Sequence, residues 1–207
     1  MPYKRSDWMK RISERTDISS QIVHLTRETE ELSCIEVLYK IISEGKLIGS
    51  STKSGFICGN TPAVCFQDTP LVSICQNVYY EQKYNRANKI EKHRYKAVGL
   101  SIEKDYAYKK KGRPVVYDKT EEAKKYLPKE EWWRIVNFDL SNKDSFIDWT
   151  HEREWRAPGN FEFEINHLTL LFVNQKAYKA FFELCEKENT DYLSKVNGIV
   201  VMSNLLY

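Results

Sequence analysis

The sequence lacks the long apolar runs and the paired cysteines that mark two large classes of protein. No apolar run approaches the roughly 18 residues that a membrane-spanning helix needs. The five cysteines are scattered without a Cys-x-x-Cys spacing, and their odd number favours reduced thiols over a disulfide framework. The polar first residues lack the apolar core of a signal peptide. These absences predict a cytoplasmic protein with no membrane partner.

Several nucleotide-binding and catalytic motifs are also missing. The chain has no phosphate-binding loop, no dinucleotide-binding Gly-x-Gly-x-x-Gly and no His-Glu-x-x-His zinc helix. The net charge of +3 is mildly basic, which permits a polyanionic partner without requiring one. The 42% of hydrophobic residues are enough for a sizeable core, and the 29% of charged residues are typical of folded proteins.

The order of strand and helix patterns predicts an α+β fold, because short strands alternate irregularly with helices. We expect a charged leader over residues 1–19 and a single domain over residues 20–207. Helices are predicted from Ser33, which has a capping-box partner in Glu36, to Gly45, from an N-cap at Thr69 to about Asn85, and over Gln175 to Glu188. Strands are predicted over residues 21–26, 63–67, 95–102, 113–117, 132–138, 168–173 and 198–202.

The segment 148–156 concentrates three carboxylates, one imidazole, two guanidinium groups and two tryptophans. If the chain is extended from Glu152, then Glu152, Glu154 and Arg156 share one face. Two carboxylates on one face repel, so at least one is a candidate for a perturbed pKa or for binding a cation. Such a pair could hold a developing positive charge, as on an oxocarbenium ion. The alternative is a solvated strand edge with a local Glu–Arg ion pair.

A second candidate site lies near the start of the chain. In the strand pattern 21–26, His24 and Thr26 lie on one face, and the apolar Val23 and Leu25 lie on the other. The pair is a candidate for ligand contacts. The alternative is a core histidine that is hydrogen-bonded to the backbone.

His24-x-Thr26, followed by the amphipathic helix that closes at Gly45, resembles the opening of the DarT-like and CmdT-like ADP-ribosyltransferases. These toxins transfer ADP-ribose from NAD to nucleic-acid bases. The late Glu152-x-Glu154 is similar to the catalytic loop of the wider ADP-ribosyltransferase superfamily, and residues 64–71 and 112–117 resemble segments of AbiGi-type abortive-infection proteins. These pieces cover roughly residues 20–175. The middle of the chain departs from the DarT pattern, and that family's catalytic arginine has no assigned counterpart.

The resemblance implies a split mixed β-sheet with flanking helices, and NAD as a substrate without a metal. It gives Glu154 the stabilisation of the ribosyl cation and Glu152 the activation of the acceptor, and the reverse assignment stays open. His24 would bind the adenine-side ribose with support from Thr26. Arg113 is a candidate for the pyrophosphate, because a guanidinium binds phosphate oxygens in pairs. Arg156 could take that role or balance Glu154.

The acceptor is expected to be a nucleic-acid base in single-stranded RNA or DNA. Aromatic side chains beside consecutive lysines combine base stacking with phosphate neutralisation, as in the set Tyr106, Tyr108, Lys109, Lys110 and Lys111. The alternative is that these lysines lie at the carboxyl end of an exposed helix, where they interact favourably with the helix dipole. The basic stretch from Arg86 to Arg94 is either a second phosphate contact or a solvated loop.

The predicted activity is that of a toxin in a toxin–antitoxin or phage-defence (abortive-infection) system, with an antitoxin protein as a partner. Two other functions stay open. One is a non-catalytic interaction module of a phage-defence operon, because likeness of fold does not secure activity. The other is a metal-dependent nuclease with the ligands Asp148, His151, Glu152 and Glu154.

Overall fold

The computed structural model describes residues 2–90 and 96–205. Over these ranges the helices are α1 (Arg5–Ser13), α2 (Cys34–Glu44), α3 (Leu71–Ala87), α4 (Lys104–Lys109), α5 (Thr120–Tyr126), α6 (Gln175–Lys187) and α7 (Tyr192–Lys195). Short 3₁₀ helices lie at Thr52–Ser54, Lys129–Arg134, Thr150–Glu152, Ile165–His167 and Met202–Leu205.

The strands are given in chain order as β1 (Gln21–Leu25), β2 (Lys46–Leu47), β3 (Ala63–Gln67), β4 (Gly99–Glu103), β5 (Arg113–Pro114), β6 (Val116–Asp118), β7 (Ile135–Asn137), β8 (Glu154–Pro158), β9 (Phe161–Glu162), β10 (Thr169–Phe172) and β11 (Gly198–Val201). Mixed strand directions together with separate helices make the fold α+β, as the sequence predicts.

The chain divides into two compact units, each assembled from separate stretches. The first unit comprises Met1–Gly45, Thr69–Glu103 and Phe163–Tyr207, and the second comprises Lys46–Asp68 and Lys104–Glu162. This division is not that of two domains in tandem, because neither unit is a continuous segment.

The first unit has a mixed sheet. Strands β1 and β4 pair antiparallel, β4 and β10 pair antiparallel, and β10 and β11 pair parallel. Val23 and Leu25 of β1 belong to a buried cluster that includes Ile74 and Val78 of α3 and Leu171 of β10. The alternation of β1 thus buries the predicted apolar face against a helix.

Helix α2 confirms the capping signals that the sequence carries. The Ser33 hydroxyl accepts the Glu36 backbone N–H, and the Glu36 carboxylate accepts the Ser33 N–H at 2.8 Å, which closes the capping box. Gly45 follows the last turn with φ 65°, a left-handed conformation that favours glycine.

Four predicted elements have wrong boundaries. Helix α3 begins at Leu71 with Pro70 at its N-cap, so Thr69 is not the N-cap. The predicted strand 113–117 is interrupted at Val115, whose backbone N–H donates to Glu154, and β5 and β6 pair with different strands. The first half of the predicted strand 132–138 is a 3₁₀ helix that begins after Pro128 and buries Trp133. The predicted strand 95–102 begins only at Gly99 and ends at Glu103, and Tyr95 lies outside the described residues.

The second unit contains three antiparallel strands in the order β3–β8–β5. The register places Gln67 opposite Glu154 and Cys65 opposite Arg156. Because successive side chains of a strand alternate between faces, these four polar side chains share one face of the strand pair. On the opposite face of β3, the Phe66 ring packs edge-on against the Phe161 ring, with centroids 5.3 Å apart.

Candidate functional site

A tight turn joins the two candidate carboxylates. Glu152 ends a 3₁₀ helix, Arg153 takes a left-handed conformation with φ 46°, and Glu154 begins β8. The Asp68 backbone N–H donates to the carbonyl oxygens of both Glu152 (3.1 Å) and Arg153 (3.2 Å), which holds the turn. The expectation of an extended chain from Glu152 is therefore wrong at its first two residues. Both carboxylate side chains are nevertheless buried.

Arg156 fixes the Glu154 carboxylate from two positions along β8. Its Nε donates to Oε1 at 2.8 Å and its Nη2 to Oε2 at 3.4 Å. Nη1 donates to the carbonyl oxygens of Trp133 (2.9 Å) and Ile135 (3.0 Å), and Nη2 also donates to that of Phe56 (3.3 Å). All five N–H groups of the guanidinium therefore have acceptors. Of the two roles predicted for Arg156, these contacts fit the balancing of Glu154.

This ion pair is deeply buried, because only 3% of Arg156 is exposed. Burial acts to lower the pKa of Arg156, but the charges and hydrogen bonds of Glu154 and Cys65 together outweigh it, so the pKa of Arg156 is raised overall. A buried charge is tolerated only where it is paired and hydrogen-bonded. The Arg156 contacts therefore compensate the buried Glu154 carboxylate and restrict its orientation.

The charges of both carboxylates affect the pKa values of two neighbouring side chains, Cys65 and Tyr117. Burial raises the pKa of the Cys65 thiol, and the charges of Glu154 and Glu152 raise it further. Burial likewise raises the pKa of Tyr117 to about 12, and both carboxylates again contribute. The Tyr117 hydroxyl also accepts the Glu154 backbone N–H at 2.7 Å. A neutral phenol and a neutral thiol thus adjoin the two carboxylates.

Gln67 contributes an unsatisfied acceptor opposite Glu154. The side chain is 8% exposed, and its Oε1 has no hydrogen-bond partner within the described part of the chain. A buried carbonyl oxygen without a donor costs about 1–3 kcal/mol. A ligand hydroxyl would remove this cost.

An ion pair supports the turn from the other side. Lys104 Nζ lies 2.6 Å from Oδ1 of Asp68, and the Trp155 indole Nε1 donates to Oδ2 of Asp68 at 3.1 Å. Burial raises the pKa of Asp68, and the hydrogen bond and charge of Lys104 oppose that shift. Asp68 therefore links the end of β3, the start of α4 and β8.

Arg113 is partly committed to its own loop. Its Nη1 donates to the carbonyl oxygens of Tyr108 (2.8 Å) and Gly112 (2.7 Å), and its guanidinium lies 3.8 Å from the Tyr108 ring centroid. Its Nε and Nη2 have no acceptor among residues 2–90 and 96–205. This edge matches the fork that binds two phosphate oxygens. The pyrophosphate contact of Arg113 stays a prediction.

The predicted acceptor segment forms the end of a short helix. Tyr106 is buried, and Lys110 Nζ lies 5.3 Å from its ring centroid. Tyr108 is exposed, and so are Lys109, Lys110 and Lys111, which follow at the carboxyl end of α4. A base could therefore meet Tyr108 rather than Tyr106. In the other basic stretch, Arg86 is exposed near the end of α3, whereas residues 91–94 lie outside the described ranges.

His24 and Thr26 belong to the first unit. The Thr26 hydroxyl lies 3.0 Å from the Val98 carbonyl oxygen and 3.2 Å from that of Cys34, so its single proton is used by the backbone. His24 is half-buried on β1 and lies opposite Leu100 of β4. The NAD contacts of His24 and Thr26 stay predictions.

The four residues of the nuclease alternative have separate local roles. Asp148 Oδ1 accepts the Thr150 backbone N–H (2.9 Å) and hydroxyl (2.6 Å), and the His151 ring lies beside Trp149. Among the described residues, no three ligating side chains come together in a group that could hold a metal ion.

Cys65, Gln67, Asp68 and Tyr117 were not among the residues selected from the sequence. The alternation of strand 63–67 carries the only local signal, since it puts Cys65 and Gln67 on the face opposite Val64. Their proximity to the carboxylates depends on strand pairing between residues that lie about 90 positions apart.

Comparison of the chain with protein-family models gives no match, and comparisons with characterised proteins and with solved structures also give none. Over the described residues, every helix is too short or too polar to cross a membrane.

Proposed function

We propose that this chain is an NAD-dependent ADP-ribosyltransferase that modifies a nucleic-acid base. The observation that carries the proposal is the buried Glu152-x-Glu154 pair, with Glu154 hydrogen-bonded to Arg156 beside the unsatisfied Gln67 carbonyl. The order of sequence motifs, which resembles that of the DarT-like toxins, supports the same activity. The expected fold is the split mixed sheet of the ADP-ribosyltransferases.

The bond that breaks joins C1′ of the ribose to the nicotinamide nitrogen. Its electron pair leaves with nicotinamide, which departs neutral and needs no proton. The ribose then carries the positive charge, and the Glu154 carboxylate stabilises it. A carboxylate whose orientation is fixed before the reaction does this without reorganisation, and the Arg156 contacts supply that fixation. Gln67 would accept one ribose hydroxyl.

Glu152 would complete the transfer. A base nitrogen or oxygen forms the new bond to C1′, and the proton that it carries passes to a carboxylate. The burial of Glu152 two residues before Glu154 supports Glu152 as the carboxylate that receives this proton. The acceptor strand would meet the exposed Tyr108 and the lysines from Lys109 to Lys111. In a toxin–antitoxin or phage-defence system, an antitoxin protein would restrain this activity.

The test is to incubate the protein with NAD labelled in the adenylate and to separate DNA, RNA and protein. Label should appear on nucleic acid. Glu154→Gln should reduce transfer by about 10²–10³-fold, because it removes the stabilising charge while its carbonyl can still accept from Arg156. Glu152→Gln should reduce transfer more than NAD cleavage. Glu162→Gln, at an exposed position on β9, is the matched control and should leave both rates unchanged.

Thermal melting must show that each variant folds before its rate is compared. Full transfer activity of a folded Glu154→Gln variant would overturn the role of Glu154, and label on protein alone would overturn the nucleic-acid acceptor.

One observation favours a non-catalytic interaction module instead. The Glu154–Arg156 pair is saturated by internal contacts, as a purely structural ion pair would be. In that case NAD is neither bound nor cleaved, and Glu154→Gln changes stability alone. Measuring NAD cleavage and melting on the same samples separates the two functions.

A further inference from the structure

Helix α3 exposes three tyrosines that no function described above uses. Tyr79, Tyr80 and Tyr84 are 65%, 69% and 51% exposed. The opposite side of the helix is buried in the core of the first unit through Ile74 and Val78. Aromatic side chains of this size normally bury most of their surface, so three exposed on one helix indicate a binding surface.

Two of these rings already form a stack. Tyr80 and Tyr84 are four residues apart and therefore lie one above the other on the helix. Their centroids are 6.4 Å apart and their planes are inclined by 22°. The two rings are therefore already arranged one helical turn apart in the unbound protein.

Two cations lie on the exposed side of α3. Lys83 and Arg86 are exposed on α3, and the 3.6-residue period places them on the same half of the helix surface as the tyrosines. Glu81 is the single acidic residue in the sequence of α3, and it lies three residues before Tyr84, at the edge of this half of the helix. Lys83 therefore lies between Tyr80 and Tyr84 along the sequence, and Arg86 follows them.

A pocket in the same unit lies next to Arg86. It has a volume of about 240 Å³ and is lined by Gln82, Arg86, Lys96 and Val173. Lys96 also pairs with Glu28, and that contact raises the pKa of Lys96. Arg86 thus belongs both to the tyrosine-bearing surface and to the pocket.

We propose that the exposed face of α3 binds single-stranded nucleic acid. Bases stack on Tyr80 and Tyr84, and the phosphates between them contact Lys83 and Arg86. Stacking on aromatic rings and a cationic track are the two components of sequence-tolerant single-strand binding. A duplex hides the faces of its bases, so a single strand is the form that this surface fits. An acidic protein segment would use the cations but leave the rings without stacking partners.

This inference goes beyond the proposed transferase, since it needs neither NAD nor the carboxylates. The test uses fluorescence anisotropy of the full chain with labelled dT and rU oligonucleotides and with a duplex, in the absence of NAD. Tyr80→Ala/Tyr84→Ala should weaken single-strand binding by about 10-fold or more for each ring lost. Tyr80→Phe/Tyr84→Phe keeps both rings and should bind like the parent protein.

Two further variants separate stacking from charge. Lys83→Gln/Arg86→Gln should reduce the slope of log affinity against log salt by about 0.7 for each lost phosphate contact. Tyr126→Ala removes a tyrosine of similar exposure (58%) from α5 of the other unit and should have no effect. Comparing the dT and rU strands shows whether DNA or RNA is preferred.

The proposal is overturned if the parent binds neither strand, or if the alanine pair binds as well as the phenylalanine pair. It is also overturned if the duplex binds as tightly as the single strands. Because binding is measured without NAD, a failed transferase assay leaves this test intact. Conversely, loss of binding at α3 would leave NAD cleavage by the carboxylate site unaffected.

Discussion

Replacing Arg156 with methionine tests the central ion pair directly. Methionine fills a similar length with an apolar side chain but donates no hydrogen bond. The variant leaves the Glu154 carboxylate buried without its partner, and it leaves the carbonyl oxygens of Trp133, Ile135 and Phe56 without their donors. An uncompensated buried charge is among the most destabilising changes known in proteins.

The size of the effect follows from this geometry. Removing one partner of a buried ion pair costs about 3–5 kcal/mol in the free energy of unfolding. For a chain of this length each kcal/mol lowers Tm by about 2–4 °C, so we expect a fall on the order of 6–20 °C. Glu154→Gln/Arg156→Met removes the stranded charge as well, and should recover about 1–2 kcal/mol relative to the single variant.

Urea unfolding followed by tryptophan fluorescence is a suitable assay, because four of the five tryptophans (Trp132, Trp133, Trp149 and Trp155) lie in the unit that contains Arg156. Arg15→Met is the matched control. Arg15 pairs with Asp17 at the exposed surface, and its loss should leave the midpoint unchanged. The reasoning would be refuted if Arg156→Met left the urea midpoint nearly unchanged, or if the double variant were less stable than Arg156→Met alone.

Three further predictions concern neighbouring groups. Gln67→Met removes the buried carbonyl oxygen that lacks a donor, so melting without NAD should show equal or higher stability, while the shift produced by NAD should shrink. Tyr117→Phe removes the acceptor of the Glu154 backbone N–H, so urea unfolding at neutral pH should show a loss of about 1–3 kcal/mol. In alkali the raised pKa of about 12 keeps the folded phenol neutral after the unfolded one ionises near 10, so the stability of the parent falls as pH rises from about 10 through 12, and the variant should lack that fall. Replacing residues 109–111 with alanine should flatten the salt dependence of nucleic-acid modification and leave NAD cleavage intact, and equal salt slopes would contradict this.

The elements that the sequence predicted correctly are those that depend on nearby residues. Helix α2 has its capping box and its terminal glycine within thirteen positions, from Ser33 to Gly45. Strand β3 occupies Ala63–Gln67, as its bounded run of strand-forming residues predicts. In both elements the start and stop signals are part of the element, so no tertiary contact had to be known.

The candidate site was only half predictable, because its geometry comes from distant parts of the chain. The Glu-x-Glu pattern identified two carboxylates but did not predict their burial, and the extended chain that it assumed is wrong at Arg153. The left-handed turn there is held by the Asp68 backbone, about 85 positions earlier. Arg156 likewise takes an acceptor from Phe56, at a sequence separation of 100. No local pattern contains that information.

The Glu154–Arg156 pair fits a structural role and a catalytic role equally well, because both roles need the same arrangement of the two side chains. A structural pair needs an ionised carboxylate whose charge is compensated. A carboxylate that stabilises a ribosyl cation must be ionised as well, and it must be oriented before the cation forms. The feature that distinguishes the two cases lies across the strand, where Gln67 keeps a buried carbonyl oxygen without a donor. A purely structural site gains nothing from that cost of about 1–3 kcal/mol, whereas a ligand that supplies a hydroxyl recovers it. Gln67 therefore separates the two functions more sharply than either glutamate, because its replacement should weaken ligand binding without weakening the fold.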